Sequence, residues 1–102
     1  MRRWLGALTR QRRNRLASAD VRACRESNLF DAAWYLARYP DVKASGAEPI
    51  KHFLVFGGTE RRDPGPKFNT TEYLRLHPDV AASNVNPLLH YLRHGAREGR
   101  DL

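Results

Sequence analysis

An internal duplication constrains this chain more than any other feature. Residues 30–64 recur 38 positions later as residues 68–102, and fifteen of the 35 aligned positions are identical. The identical pairs are Phe30/Phe68, Tyr35/Tyr73, Leu36/Leu74, Pro40/Pro78, Asp41/Asp79, Val42/Val80, Ala44/Ala82, Ser45/Ser83, Pro49/Pro87, His52/His90, Leu54/Leu92, Gly57/Gly95, Glu60/Glu98, Arg62/Arg100 and Asp63/Asp101. A period of about 20–50 residues is typical of stacked units that are too small to bury a core alone. We therefore predict one compact domain with two tandem copies, residues 28–64 and 65–102, behind an N-terminal segment, residues 1–27.

Each copy is predicted to begin with a short helix, over residues 32–38 and 70–76. Asp31 and Asn69 stand where the N-caps of these helices would lie, since Asp and Asn accept hydrogen bonds from free backbone N–H groups. The run from Asn69 to Glu72 also has the spacing of a capping box.

A second helix is predicted to restart at the Pro-Asp-Val sequence of each copy. Pro40 and Pro78 cannot continue the first helix, but they suit the first turn of the next one. Gly46 and Asn84 tolerate the left-handed backbone conformation that ends a helix, so the second helix is brief.

The third helix of each copy is predicted to open at Pro49 or Pro87 and to end at Gly57 or Gly95. Its N-caps are Glu48 in the first copy and Asn86 in the second, of which Asn is the better capping residue. Apolar residues recur at spacings of three and four throughout both copies, and no stretch alternates as a strand would. The predicted fold class is therefore all-α, with a basic helix from about residue 9 to residue 27 ahead of the copies.

The entire net charge of +7 lies in the first 25 residues, which hold eight arginines and one acid. The arginines that we single out as contacts for an anionic partner are Arg2, Arg3, Arg10, Arg12, Arg13 and Arg15. They could bind the phosphates of a nucleic acid. Alternatively, Trp4, Leu5 and Leu8 could enter an anionic membrane surface beside them. A third alternative is a solvated basic helix that caps the copies.

Two sequence blocks resemble a known repeat. They read Phe-Asp-x-x-Trp-Tyr-Leu-x-x-Tyr-Pro-Asp-Val-x-x-Ser-Gly at 30–46 and Asn-Pro-Leu-x-His-Tyr-Leu-x-x-Gly-x-x-Glu-Gly-Arg at 86–100. Together they resemble the short tandem helical repeat that accompanies bacterial glycosyltransferases and rhamnan-synthesis-like polysaccharide proteins. The resemblance covers residues 28–102 and implies a module that accompanies catalysis without performing it. It also implies a bacterial cytoplasmic protein, either free or peripheral to the inner membrane.

The motifs required for sugar transfer are missing from the sequence. The chain has no Asp-x-Asp metal motif, no Gly-rich phosphate loop and no nucleophile motif, and it is far shorter than a nucleotide-sugar-binding domain. We expect no enzyme activity, no catalytic residue, no cofactor and no small-molecule substrate. A non-catalytic fragment or subunit of a glycosyltransferase is an alternative to a free-standing interaction module.

The residues that recur in both copies are interpreted as structural. They are Pro40, Asp41, His52, Gly57, Pro78, Asp79, His90 and Gly95. The two histidines are expected to make a hydrogen bond within each copy, to the Pro-Asp turn. The alternative is zinc held by His90 and His94 with His77 or Asp79, but metal sites usually have more ligands than this. The single cysteine, Cys24, is expected to be a buried and inert thiol.

The two copies differ most at four positions, where the first copy is apolar and the second polar. Trp34, Tyr39, Val55 and Phe56 correspond to Glu72, His77, Arg93 and His94. Terminal repeats need a polar outer face, so the second copy is predicted to be an end cap. The four first-copy residues are our candidate interaction surface. We expect them to be covered by the N-terminal helix, by a second protomer in a homo-oligomer, or by a protein partner.

Overall fold

A computed structural model describes residues 17–95, and these residues form an all-α fold. The helices are α1 (Ser18–Glu26), α2 (Ala32–Arg38), α3 (Pro40–Ser45), α4 (Pro49–His52), π1 (Phe53–Gly57), α5 (Thr70–Leu76), α6 (Pro78–Ser83), α7 (Pro87–His90) and π2 (Tyr91–Gly95). The all-α prediction is therefore confirmed. The six candidate arginines of residues 1–15 lie outside the described residues, as does the segment from residue 96 onward.

The first helix of each copy has the predicted bounds, α2 in the first and α5 in the second. Asp31 accepts a hydrogen bond from the backbone N–H of Trp34 over 3.0 Å, and Asn69 accepts one from Glu72 over 2.9 Å. Both predicted N-caps are thus confirmed. The Glu72 side chain forms an ion pair with Arg75, so only the Asn69 half of the predicted capping box is seen.

The second helix of each copy begins and ends where the prolines and the residues that tolerate a left-handed backbone predict. Pro40 and Pro78 lie in the first turn of α3 and α6. Gly46 and Asn84 end these helices with φ angles of 74° and 61°. Local backbone preferences therefore determine where the chain turns in each copy.

The third helix of each copy ends in a wide, π-helical backbone turn that the sequence did not predict. It opens at Pro49 or Pro87 and ends at Gly57 or Gly95, but its last five residues, π1 and π2, are π-helical. The backbone N–H of Gly58 donates to the carbonyl of Phe53 over 3.1 Å, an i to i+5 bond. Such wide turns are rare and depend on packing, which sequence periodicity does not report.

A shared core runs through both copies and contains residues at matched positions. The buried pairs are Phe30/Phe68, Tyr35/Tyr73, Val42/Val80, Ile50/Leu88 and Leu54 with the half-buried Leu92. In the first copy the Tyr35 ring contacts Phe30 and Phe53, with ring centroids 5.3 and 5.9 Å apart. Each copy therefore centres on a buried tyrosine packed among other aromatic rings.

The copies are joined through polar contacts at one junction. The Thr70 hydroxyl donates to the carbonyl of Arg62 over 2.7 Å, and the Thr70 N–H donates to Asp63 over 2.8 Å. The Asn86 amide donates to the carbonyl of Phe53 over 3.2 Å. The Asn86 side chain thus has two roles, because its nitrogen contacts the first copy and its oxygen caps α7.

Helix α1 packs on the third helices of both copies, α4 and α7. Cys24 is completely buried, and Asp20 forms an ion pair with Arg93. The helix was predicted from about residue 9 to residue 27; it is observed over Ser18–Glu26, and residues 9–16 lie outside the described range. The last part of the basic segment is therefore part of the packed domain. Within residues 17–95, no helix is both long enough and apolar enough to cross a membrane.

We predict that Cys24 is unreactive in the folded protein. Burial raises the pKa of its thiol from 9.0 to about 12, which lowers the thiolate fraction at neutral pH about a thousandfold. Iodoacetamide should label Cys24 in denaturant and leave it almost unlabelled in buffer, as measured by mass spectrometry. Rapid labelling of the native chain would contradict the buried position.

Candidate interaction groove

The four residues predicted to share one apolar surface fall into two groups. Val55 and Phe56 line a groove between α1 and the α4–π1 segment, whereas Trp34 and Tyr39 are not among its described lining residues. Trp34 instead contacts Tyr39 edge-on, with ring centroids 6.4 Å apart. Val55 and Phe56 therefore lie in the groove and Trp34 and Tyr39 form an aromatic pair, while one interaction surface formed by all four stays a prediction.

Tyr39 has a structural role that the sequence did not predict. Its hydroxyl accepts a hydrogen bond from the backbone N–H of Asp63 over 2.7 Å, and the Arg62 guanidinium lies 4.8 Å from its ring centroid. The ring is half-buried, and the hydrogen bond of the hydroxyl connects the end of α2 to the link between the copies. Tyr39 therefore contributes to the stability of the domain, and its place in an interaction surface stays a prediction.

The groove has a volume of about 720 Å³ and is partly open to solvent. Its apolar lining comes from Val21 on α1 and from Ala47, Val55 and Phe56 of the first copy. Val21 and Val55 are half-buried, and Phe56 is 39% exposed. The first-copy residues lie against α1, so one predicted cover for them, the N-terminal helix, forms one wall of the groove.

The remaining lining of the groove is mainly cationic. Arg22 and Arg25 of α1 and Lys51 of α4 are exposed along it. Among the described lining residues one, Glu48, is acidic, and its two oxygens accept hydrogen bonds from the N–H groups of Ile50 and Lys51. The Glu48 charge is thus directed at the N-terminus of α4, where it complements the helix dipole.

The recurring histidines bind the buried tyrosines rather than the Pro-Asp turn. His52 Nδ1 lies 2.9 Å from the Tyr35 hydroxyl, and His90 Nδ1 lies 2.9 Å from the Tyr73 hydroxyl. The expectation of a structural hydrogen bond is therefore confirmed, while its expected partner was wrong. The tyrosine is seventeen residues upstream in each copy, a separation that no local rule connects.

We predict that protonation of His52 destabilises the fold. Burial holds the pKa of His52 below its ordinary value of 6.5. The unfolded chain therefore binds more protons than the folded chain as the pH falls through this region, so stability present above pH 6.5 is lost below it. The melting temperature should fall from pH 7 to pH 5, and His52→Gln should reduce that fall.

The exposed His94 provides the control for this experiment, because His94→Gln removes a histidine without removing the bond to a tyrosine. It should leave the pH dependence close to that of the wild type. An equal fall in melting temperature for the wild type and His52→Gln would show that the destabilising protonation lies elsewhere.

The recurring acid of the first copy is held by an arginine. Arg62 donates two hydrogen bonds to Asp41, over 2.9 and 2.6 Å, and a third to Glu60 over 2.8 Å. The Arg62 hydrogen bond holds the pKa of Asp41 below its ordinary value. Asp41 is exposed to solvent beside a permanent cation, which suits a structural carboxylate better than a proton donor or acceptor. The counterpart of Arg62 in the second copy, Arg100, lies outside the described residues.

The two histidines weighed as zinc ligands lie close together on one helix. The rings of His90 and His94 have centroids 5.7 Å apart. Residues 17–95 contain no group of three or more His, Cys, Asp or Glu side chains able to hold a metal ion. His90 Nδ1 is hydrogen-bonded to the Tyr73 hydroxyl.

Sequence reasoning missed one wall of the groove and two apolar residues of the second copy. Arg22, Arg25 and Val21 were assigned to the basic segment, and only the packing of α1 brings them beside the first copy. Leu76 and Val85 are each 41% exposed, so the second copy is less polar than an end cap was expected to be. The helical spacing of Val21 and Cys24 was the signal that α1 packs on the domain.

Comparison of the chain with protein-family models, with curated proteins and with solved structures found no match. The resemblance of residues 28–102 to a glycosyltransferase-associated repeat therefore depends on the two sequence blocks alone.

Proposed function

We propose that this chain is a non-catalytic helical-repeat interaction module that serves bacterial glycosyltransferase or surface-polysaccharide machinery. The observation that carries the proposal is the groove, which combines an apolar lining with cationic side chains and is formed jointly by α1 and the first copy. Its size suits a few side chains of a partner protein.

The chemistry of the recurring residues supports a binding module over an enzyme. His52 is hydrogen-bonded to Tyr35, and Asp41 is bound by Arg62. A catalytic acid or base needs a substrate within reach and a pKa near the working pH. The pKa of Asp41 lies below its ordinary value, further from neutrality.

The cellular setting of the proposal comes from the sequence resemblance. The blocks at 30–46 and 86–100 resemble a repeat that flanks sugar transferases, which would place this chain in the bacterial cytoplasm or at the inner-membrane surface. The catalytic domain would then belong to another chain or to another part of a longer protein.

Light scattering of the purified chain at low and high salt tests the module function. We expect a salt-resistant assembly, free of nucleic acid by its ultraviolet absorbance ratio, that is weakened by Trp34→Glu with Phe56→His. These are the residues of the second copy at the same positions. A fully monomeric wild type would contradict assembly through the surface predicted from Trp34, Tyr39, Val55 and Phe56, and turnover of nucleotide sugars by the purified chain would overturn the non-catalytic assignment.

A nucleic-acid-binding protein is the second candidate, favoured by the concentration of the net charge in residues 1–25. The structure refines the deletion that separates the two functions. Removing residues 1–25 would also remove most of α1 and the buried Cys24, so the deletion should end at residue 16. Nucleic acid that copurifies with the whole chain and is lost with residues 1–16 would favour this second function.

A further inference from the structure

We propose that the groove between α1 and the α4–π1 segment binds an acidic peptide segment that carries apolar side chains. The inference rests on the module function proposed above and specifies the chemical class of its partner. The charge of the groove, its shape, and the residues at the junction between the copies support this proposal.

Charge complementarity favours an acidic partner. Arg22, Arg25 and Lys51 line the groove, and none of the three forms an ion pair with another described residue. Glu48 is the one acidic residue among the described lining residues, so with three cations the described lining keeps a net positive charge. Carboxylates entering the groove would gain charge-assisted hydrogen bonds from the two guanidinium groups.

The shape and apolar lining favour a peptide over a nucleic acid or a membrane. The groove is concave, and Val21, Val55 and Phe56 line it together with the cations. A phosphate backbone is bound along an open basic surface, and a bilayer meets a flat or convex one. A concave site of this volume instead accepts individual apolar side chains between charged contacts.

A third copy of the repeat is disfavoured as the occupant by the residues at the junction between the two copies. There the Asn86 side chain donates a hydrogen bond to the carbonyl of Phe53. Glu48 holds the matching position in the first copy, and an ionised carboxylate has no hydrogen to donate.

The residue that packs against Asn86 is also changed in the second copy. A Cβ atom at Gly58 would lie 2.7 Å from Asn86 Nδ2 and 3.0 Å from Pro87, so this close approach requires glycine. The matching residue in the second copy is Ala96. Both residues of the junction contact are therefore replaced at the matching positions of the other copy, which disfavours a third copy as the occupant of the groove.

A peptide array tests the proposal. Peptides of random sequence are probed with the labelled full-length chain, and the strongest binders are measured by fluorescence anisotropy. We expect the selected sequences to be enriched in Asp and Glu next to Leu, Phe or Trp. The variant Arg22→Gln, Arg25→Gln, Lys51→Gln should bind them about tenfold more weakly, because the exposed charge pairs with the carboxylates of the peptide are lost.

The matched control removes three exposed cations outside the groove, Arg38→Gln, Lys43→Gln and Lys67→Gln, for the same change in net charge. It should retain most of the affinity, and circular dichroism checks that both variants fold. Equal losses in the two variants, or selected peptides without acidic residues, would overturn the proposal. An oligonucleotide or a phosphatidylserine vesicle that binds through Arg22, Arg25 and Lys51 and displaces the peptide would also overturn it.

The peptide experiment can contradict the groove assignment without contradicting the module function. A chain that assembles in light scattering but selects no acidic peptides would remove the groove assignment and leave the module function in place. A monomeric chain that selects no peptides would remove both.

Discussion

Replacing Tyr35 by alanine should lower the free energy of unfolding by about 3–5 kcal/mol, the range measured for large aromatic side chains in cores. The Tyr35 side chain is completely buried. Its ring contacts Phe30, Tyr39 and Phe53, with centroid distances of 5.3, 5.0 and 5.9 Å. Alanine would leave a cavity at the centre of the first copy and remove the hydrogen-bond partner of His52. Because small domains have only about 5–15 kcal/mol of stability, this loss threatens folding itself.

Urea denaturation followed by circular dichroism measures this effect, with Tyr35→Phe as the matched variant. Phenylalanine keeps the ring and removes only the hydroxyl bonded to His52, so it should cost about 0.5–1.5 kcal/mol. Tyr73→Ala, at the matching position of the second copy, should cost about as much as Tyr35→Ala. A loss below about 1 kcal/mol for Tyr35→Ala would show that the first copy does not depend on this aromatic core.

The sequence predicted the parts of this fold that short-range chemistry controls. Side chains such as Asp31 bond backbone groups within three residues of themselves, Pro40 has a fixed φ angle, and Gly46 tolerates a left-handed one. The bounds of the first two helices in each copy follow from these preferences. The duplication strengthened each prediction, because capping residues, prolines and helix-ending residues occur at matching positions of both copies.

The sequence did not predict the parts that depend on contacts between distant residues. The tyrosine that binds His52 lies seventeen residues before it, and the junction contact of Asn86 spans 33 residues. The groove requires α1 to pack beside the α4–π1 segment, which no capping or periodicity rule specifies. Tyr39 was assigned to an interaction surface because its counterpart His77 is polar, and its hydroxyl bond to Asp63, which spans 24 residues, was not predicted.

The π-helical ends of the third helices also depend on contacts between distant residues. Gly57 faces the Tyr35 hydroxyl, and Gly95 faces the Tyr73 hydroxyl. In both copies the wide turn coincides with a glycine packed against the central tyrosine. The sequence showed that glycine recurs here, but it was interpreted only as a helix terminus.

Gly57→Ala should destabilise the domain because a Cβ atom at this position would overlap two buried groups. It would lie 2.7 Å from the Tyr35 hydroxyl and 2.7 Å from the Phe53 ring. Overpacking of this kind typically costs about 1–3 kcal/mol. The higher helix propensity of alanine would offset up to about 1 kcal/mol of that cost. Chemical denaturation should show the net loss as a lower urea midpoint.

The second copy allows the cause of this loss to be isolated. A Cβ atom at Gly95 would lie 2.6 Å from the Tyr73 hydroxyl, and 3.0 Å from the Tyr91 ring, which is a milder approach than that of Phe53 to Gly57. In the double variant Gly95→Ala, Tyr73→Phe the overlapping oxygen is gone, so its loss of stability should be smaller than the sum of the two single losses. Strict additivity would mean that the glycine is required for the wide backbone turn itself, and not for its approach to the tyrosine.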